Sequence, residues 1–158
     1  MTPPSATCPV GLRAGTLGIV AATLVLVPGQ PARAQIGHVP VKAAFLLNVI
    51  KFVQWPPSSA PLVIGVVGDK ALAAAMTAAI KGPTGDGRVI EVRVLGALDD
   101  PAGCDVLHVG DLGAVDTVAL LERVRGPVLT VGETPRFLRD GGIIRMFIED
   151  RRIRFQIN

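Results

Sequence analysis

The chain has 158 residues, of which 49% are hydrophobic and 18% charged, a length that suits one ordinary domain and a composition that excludes a disordered chain. Its 18 glycines and 13 prolines follow no period, which excludes a collagen-like rod. The formal net charge is only +3, so nothing in the electrostatics asks for a nucleic-acid partner.

Residues 1–34 read as a secretory signal. Arg13 precedes an apolar run from Ala14 to Val27 (AGTLGIVAATLVLV), Pro28-Gly29 breaks it, and Ala32-Arg33-Ala34 offers the small-x-small pattern that a signal peptidase cuts. The run falls short of the roughly 18–20 residues of a membrane-crossing helix, which favours cleavage over an uncleaved anchor. Cys8 lies ahead of the run without a lipobox-like site, so a lipoprotein is not expected. Arg13 and Arg33 leave with the segment, so residues 35–158 are nearly neutral. Cys104 is then the single cysteine, and no intramolecular disulfide can form. It reads either as a buried small hydrophobe or as a reactive thiol.

Residues 35–158 read as a single domain. Val41 to Gln54 (VKAAFLLNVIKFVQ) predicts a helix, with Phe45, Leu46, Val49, Phe52 and Val53 on one stripe and Lys42 and Lys51 off it. Trp55-Pro56-Pro57 ends it. Leu62 to Val67 (LVIGVV) is a continuous apolar run of the kind found in buried parallel strands. Gly68-Asp69 turns into an Ala-rich helix, Lys70 to Lys81, with Asp69 placed to cap it. Val89 to Leu95 alternates, setting Arg88, Glu91 and Arg93 against Ile90, Val92 and Val94, which suits a strand near the sheet edge. Asp99 to Gly103 is loop. Cys104 to Val109 is a further strand, Leu112 to Arg125 a second crossover helix, and Pro127 to Val131 another buried strand. Thr134 to Arg139 forms a short helical turn. Ile143 to Glu149 and Arg152 to Ile157, joined at Asp150-Arg151, alternate as a hairpin. This order predicts an α/β three-layer sandwich with a mostly parallel sheet and a C-terminal β-hairpin.

The inventory of reactive groups is thin. Ser58 and Ser59 follow Pro57 with no nucleophile elbow. His108 and Cys104, four apart on one predicted strand, would face the same side yet stand too far apart to bond. His38 lies in the tail that follows the signal, and no Cys/His cluster has zinc spacing. Gly65 to Asp69 lacks the full glycine spacing of a phosphate loop. Arg145, Arg151, Arg152 and Arg154 put a basic edge on the hairpin, which either meets an acidic partner or headgroups, or protects the strand from pairing. No cofactor, no metal and no enzymatic activity are expected.

Four segments carry a resemblance: KAAFLLNVIKFVQWP (Lys42 to Pro56), LVIGVVGD (Leu62 to Asp69), CDVLHVG (Cys104 to Gly110) and LTVGETPRFLRDGGIIRMFIEDRRIRFQIN (Leu129 to Asn158). The most specific parts are K-A-A-F-L-x-N ending in K-F-x-x-W-P, and F-x-x-x-G-G-I-I followed by R-I-R-F-x-I-N. Together they resemble the YfiR family of exported bacterial proteins, over essentially all of 41–158. The resemblance implies a periplasmic regulator, not a catalyst, that represses an inner-membrane GGDEF-type diguanylate cyclase by binding its periplasmic portion. It would thereby modulate cyclic-di-GMP signalling and biofilm formation. It further implies sequestration by an outer-membrane lipoprotein and formation of a homodimer. Candidate partner-binding residues are then Phe52, Trp55, Phe137 and Arg145, with Phe52 and Trp55 serving as anchors unless they belong to the core. Family members with a redox function carry further, paired cysteines, and here only the candidate thiol Cys104 remains. Relatives also continue past the I-N motif into a C-terminal helix, whose absence would leave a sheet face uncovered. The alternative is a periplasmic small-ligand sensor that binds beyond the carboxyl ends of the strands, at Gly68, Asp69 and Gly110 to Leu112.

Overall fold

The computed structural model describes residues 38–84, 87–150 and 152–158, all within one compact unit, Gln35–Asn158. The expected signal segment, residues 1–34, lies outside the described residues. Helix α1, His38–Phe52, is followed by β1 (Leu62–Val67), α2 (Lys70–Ala79), β2 (Ile90–Leu95), β3 (Val106–Val109), α3 (Ala114–Leu121), β4 (Leu129–Gly132), β5 (Ile144–Glu149) and β6 (Arg152–Ile157). The strands form one six-stranded sheet in the order β2-β1-β3-β4-β5-β6. All neighbours are parallel except β5 and β6, which pair as an antiparallel hairpin. The expected α/β sandwich with its terminal hairpin is the fold observed.

The layering follows from the winding. From the centre, β1 crosses outward through α2 to β2, and β3 crosses the other way through α3 to β4. Right-handed crossovers that leave in opposite directions land on opposite faces of a sheet. Accordingly, Leu62, Ile64, Val66, Val106, Val131, Ile144 and Met146 pack with Ala43, Leu46, Leu47 and Ile50 of α1 and Leu72, Ala73 and Met76 of α2. On the other face, Val67, Leu107 and Val109 pack with Leu120 of α3 and with Phe137. The central strands β1 and β3 are buried throughout, as their unbroken apolar runs require of strands covered on both sides.

Local chemistry sets the element ends. Asp69 Oδ1 accepts from the Leu72 amide at 2.9 Å, so the expected cap of α2 is present. Trp55 Nε1 donates to the Ile50 carbonyl at 3.0 Å, which also accepts from the Val53 amide at 3.4 Å, and so ties the residue after α1 back to its last turn. The stretch expected as a helical turn, Thr134 to Arg139, instead winds through consecutive turns, with the Phe137 amide on the Thr134 carbonyl at 3.1 Å and the Asp140 amide on the Arg136 carbonyl at 2.9 Å.

Two expectations are corrected. Arg88 does not share the exposed side of β2; it precedes the strand and is 6% exposed. Its guanidinium donates to the carbonyls of Ala60 and Pro61 and to Asp105 Oδ2, each at 2.9 Å. Asp105 Oδ2 also accepts from the Val63 amide, so Arg88 and Asp105 clamp the amino ends of β1 and β3. Planar, multidentate donation of this kind suits arginine and not lysine. Second, β3 starts at Val106, and Cys104 leaves the strand's alternation. Its Sγ sits 2.8 Å from where a Cβ on Gly65 would be, beside Leu107. It therefore lies on the α3 face, whereas His108 faces α1.

Candidate functional site

Beneath the amino-terminal half of α1, at the carboxyl ends of β3 and β4, three ionisable side chains meet. His108 comes from β3, Glu133 follows β4, and Lys42 reaches down from α1. Lys42 Nζ pairs with Glu133 Oε2, and His108 Nε2 lies 3.3 Å from Glu133 Oε1. The His108 side chain is fully buried, while those of Lys42 and Glu133 are 15% and 27% exposed. Burial by itself would raise the Glu133 pKa. The contacts with His108 and Lys42, and their charges, outweigh it and hold the carboxyl below the ordinary carboxylate range. The cluster thus keeps an ionised carboxylate under the helix and fastens α1 to the centre of the sheet.

Sequence reasoning missed this cluster, although signals for it were available. His108 interrupts an otherwise apolar strand, and Lys42 stands four residues before Leu46, on the buried stripe and not off it. A charge on a core-facing stripe calls for a partner of opposite sign, and Glu133 is the acid nearest the end of β4.

The residues singled out for partner binding do not converge. Phe52 is 87% exposed at the end of α1. Trp55 is half-buried against the core and, with Val53, Pro56, Pro127, Val128 and Ile143, lines a shallow groove at the amino end of β4. Phe137 is removed from the set: it is fully buried, its ring wedged against Gly132 and Gly142, where an added Cβ would lie 2.3 Å and 2.2 Å from ring carbons. The F-x-x-x-G-G motif is therefore a packing motif, a ring and the two bare backbones that admit it. Arg145 is half-buried on β5, stacked 4.6 Å over the Phe147 ring and bonded to Gln156 at 3.0 Å. The Asn158 of the I-N motif has a similar structural use, donating through Nδ2 to the carbonyls of Leu138 and Gly142, both at 3.3 Å.

The candidate thiol Cys104 is free and buried. Burial pushes its pKa up, only partly opposed by the charge of Arg93, so the thiol stays protonated and unreactive. At the point where the winding reverses between β1 and β3, where a small ligand would sit in a fold of this kind, the Leu112 side chain closes over Gly68 and the Gly110 amide donates to the Val67 carbonyl at 2.8 Å.

The fold and these sites define a doubly wound α/β domain whose recognisable sequence motifs serve packing. The chain belongs to the YfiR/HmsC-like family, whose model matches residues 40–158. That family is regulatory rather than catalytic, and the match suggests a periplasmic regulator of cyclic-di-GMP signalling. No curated protein matches the chain in sequence. Among the described residues no helix is long and apolar enough to cross a membrane.

Proposed function

We propose that this protein represses an inner-membrane GGDEF-type diguanylate cyclase by binding the cyclase's periplasmic portion. The observation that carries the reading is the family match, which spans nearly the whole compact unit. The surface agrees with it: Phe52, at 87% exposure, is an aromatic anchor of the kind that dominates protein interfaces. Export through residues 1–34 puts the chain in the cyclase's compartment. An outer-membrane lipoprotein that takes up the same surface would relieve repression.

The test is genetic and biochemical. Deleting the gene in a strain that carries the cyclase raises cyclic-di-GMP and biofilm mass. Phe52→Glu behaves like the deletion while its circular dichroism and melting match wild type, because the side chain it replaces is almost entirely in solvent. A cyclase output indifferent to the deletion defeats the proposal.

A further inference from the structure

Helices α1 and α2 pack into the same core and both run out at the amino ends of the strands. Between the two helix ends lies a pocket of about 200 Å³, lined by Leu47 and Lys51 of α1 and by Ile80, Lys81 and Pro83 beyond α2. Both lysines are exposed. Lys51 Nζ reaches Asn48 Oδ1 at 3.5 Å, and neither lysine forms an ion pair among the described residues. Residues 51–61 and 79–84 contain no acid. Asp105 stands at the same ends of the sheet, but it is taken up by Arg88 and the Val63 amide. A lysine suits the carbonyl end of a helix on its own account. Two of them opening on one pocket, with no acid committed to either, leave a surplus of positive charge.

Uncovered apolar surface stands beside this charge. Phe52 follows Lys51 and is 87% exposed, and Val89, one residue before β2, is 65% exposed. Pro56 and Pro57 are exposed as well. The bond from Trp55 Nε1 to the Ile50 carbonyl holds the segment after Phe52 against the helix, so the ring is presented from a fixed support. Interfaces between proteins favour aromatic residues but are depleted in lysine. Aromatic rings ringed by lysines are the footing of a protein on a phospholipid layer: the rings enter the boundary between headgroups and acyl chains, and the ammonium groups meet phosphate.

We propose that this pole of the molecule seats on an anionic phospholipid bilayer, with Phe52 entering the headgroup boundary and Lys51 and Lys81 meeting lipid phosphate at the pocket between the two helix ends. The charge decides for lipid over a second protein, since both cations are uncommitted and the anionic headgroup layer is their complement. The inference uses the proposed export only to put a phospholipid surface within reach, and it needs no cyclase. A chain seated in this way searches for a membrane-borne partner in two dimensions.

Co-sedimentation of the purified, processed chain with vesicles tests this. Wild type binds vesicles of mixed phosphatidylglycerol and phosphatidylcholine, is released as salt rises from about 0.1 to 0.5 M, and leaves pure phosphatidylcholine vesicles unbound. Trp55, the chain's one tryptophan, reports the orientation, and its emission shifts to the blue on the anionic vesicles. Lys51→Gln combined with Lys81→Gln lowers the partition coefficient about 10- to 30-fold, and Phe52→Ser lowers it about 10-fold. Melting temperatures stay at the wild-type value, because all three side chains are exposed. Lys70→Gln removes an exposed charge from the far end of α2 and leaves the partition coefficient unchanged. Wild type that ignores anionic vesicles overturns the proposal. So does binding that survives the double lysine variant, or that falls equally with Lys70→Gln. A deletion strain with unchanged cyclic-di-GMP defeats repression without touching the vesicle result, and unbound vesicles defeat the membrane seat without touching repression.

Discussion

Glu133 touches both Lys42 and His108, and this makes its carboxyl sensitive to pH. Its folded-state pKa is depressed, so the stability it contributes is complete above the unfolded carboxylate value of about 4.3 and is lost as pH falls through the lower folded value. Replacing it by glutamine leaves the part-buried Lys42 without its counter-charge and changes the group that faces the buried His108. Glu133→Gln is expected to cost about 1–3 kcal/mol at neutral pH and to flatten the acid limb of the stability curve. Urea unfolding at a series of pH values checks both, and a variant curve parallel to the wild-type one would contradict this assignment. Much of this was accessible from side-chain types alone. A histidine in an apolar strand and a lysine on a core stripe are each anomalous, and the anomaly points to a shared acid. What the sequence does not display is the winding that brings Lys42 and Glu133, 91 positions apart, to the same end of the sheet.

At the scale of the elements, the Phe137 ring is packed directly against two bare backbones, those of Gly132 and Gly142. Gly132 ends β4, and Gly142 leads into β5; a side chain at either would occupy the space of the ring. Gly132→Ala and Gly142→Ala are each expected to destabilise by about 1–3 kcal/mol, the usual cost of overpacking. Phe137→Ala empties the site and should cost about 3–5 kcal/mol. Combining Gly132→Ala with Phe137→Leu should cost less than the sum of the single changes, since the smaller side chain makes room for the added methyl group. Additive melting temperatures would refute a shared site. Strand and helix positions were legible because each carries its own period. Leu62–Val67 and Lys70 onward begin where the apolar run and the Asp69 cap put them. Crossover helix α3 is shorter than its apolar pattern suggests, because its ends lack such punctuation: no side chain caps its amino end, and residues 122 and 123 already belong to a turn. The role of Phe137 was misread for a related reason. An aromatic in a turn-rich segment looks exposed until the two bare backbones on either side of it are placed, and these come from separate strands.

For the molecule as a whole, topology was the most readable property. Buried strands alternating with helices admit few windings once right-handed crossovers are required, and the terminal alternation admits only a hairpin. The surface was the least readable, since exposure depends on which residues neighbouring elements happen to cover. Phe52 and Phe137 are both phenylalanines beside glycine- or proline-rich segments, yet one is 87% exposed and the other fully buried. If the proposed repression is correct, Phe52→Glu separates binding from folding: cyclic-di-GMP rises in cells while the purified variant unfolds at the wild-type temperature.

The two faces of the sheet are unequally roofed. One carries α1, with Ala43, Leu46, Leu47 and Ile50 buried, together with α2. Among the described residues the other carries α3 as its one helix, eight residues long with Thr117 and Leu120 buried, beside the turn segment that holds Phe137. Cooperative units with so little enclosed apolar surface detach well before the whole molecule melts. Deuterium should therefore enter the amides of Ala114–Leu121 through a local excursion, while those of α1 wait for global unfolding. Equal exchange from both helices would mean that the domain opens as a single unit. The regulator thus has a rigid side and a loose side, and a signal that must reshape it without destroying it has one inexpensive place to act.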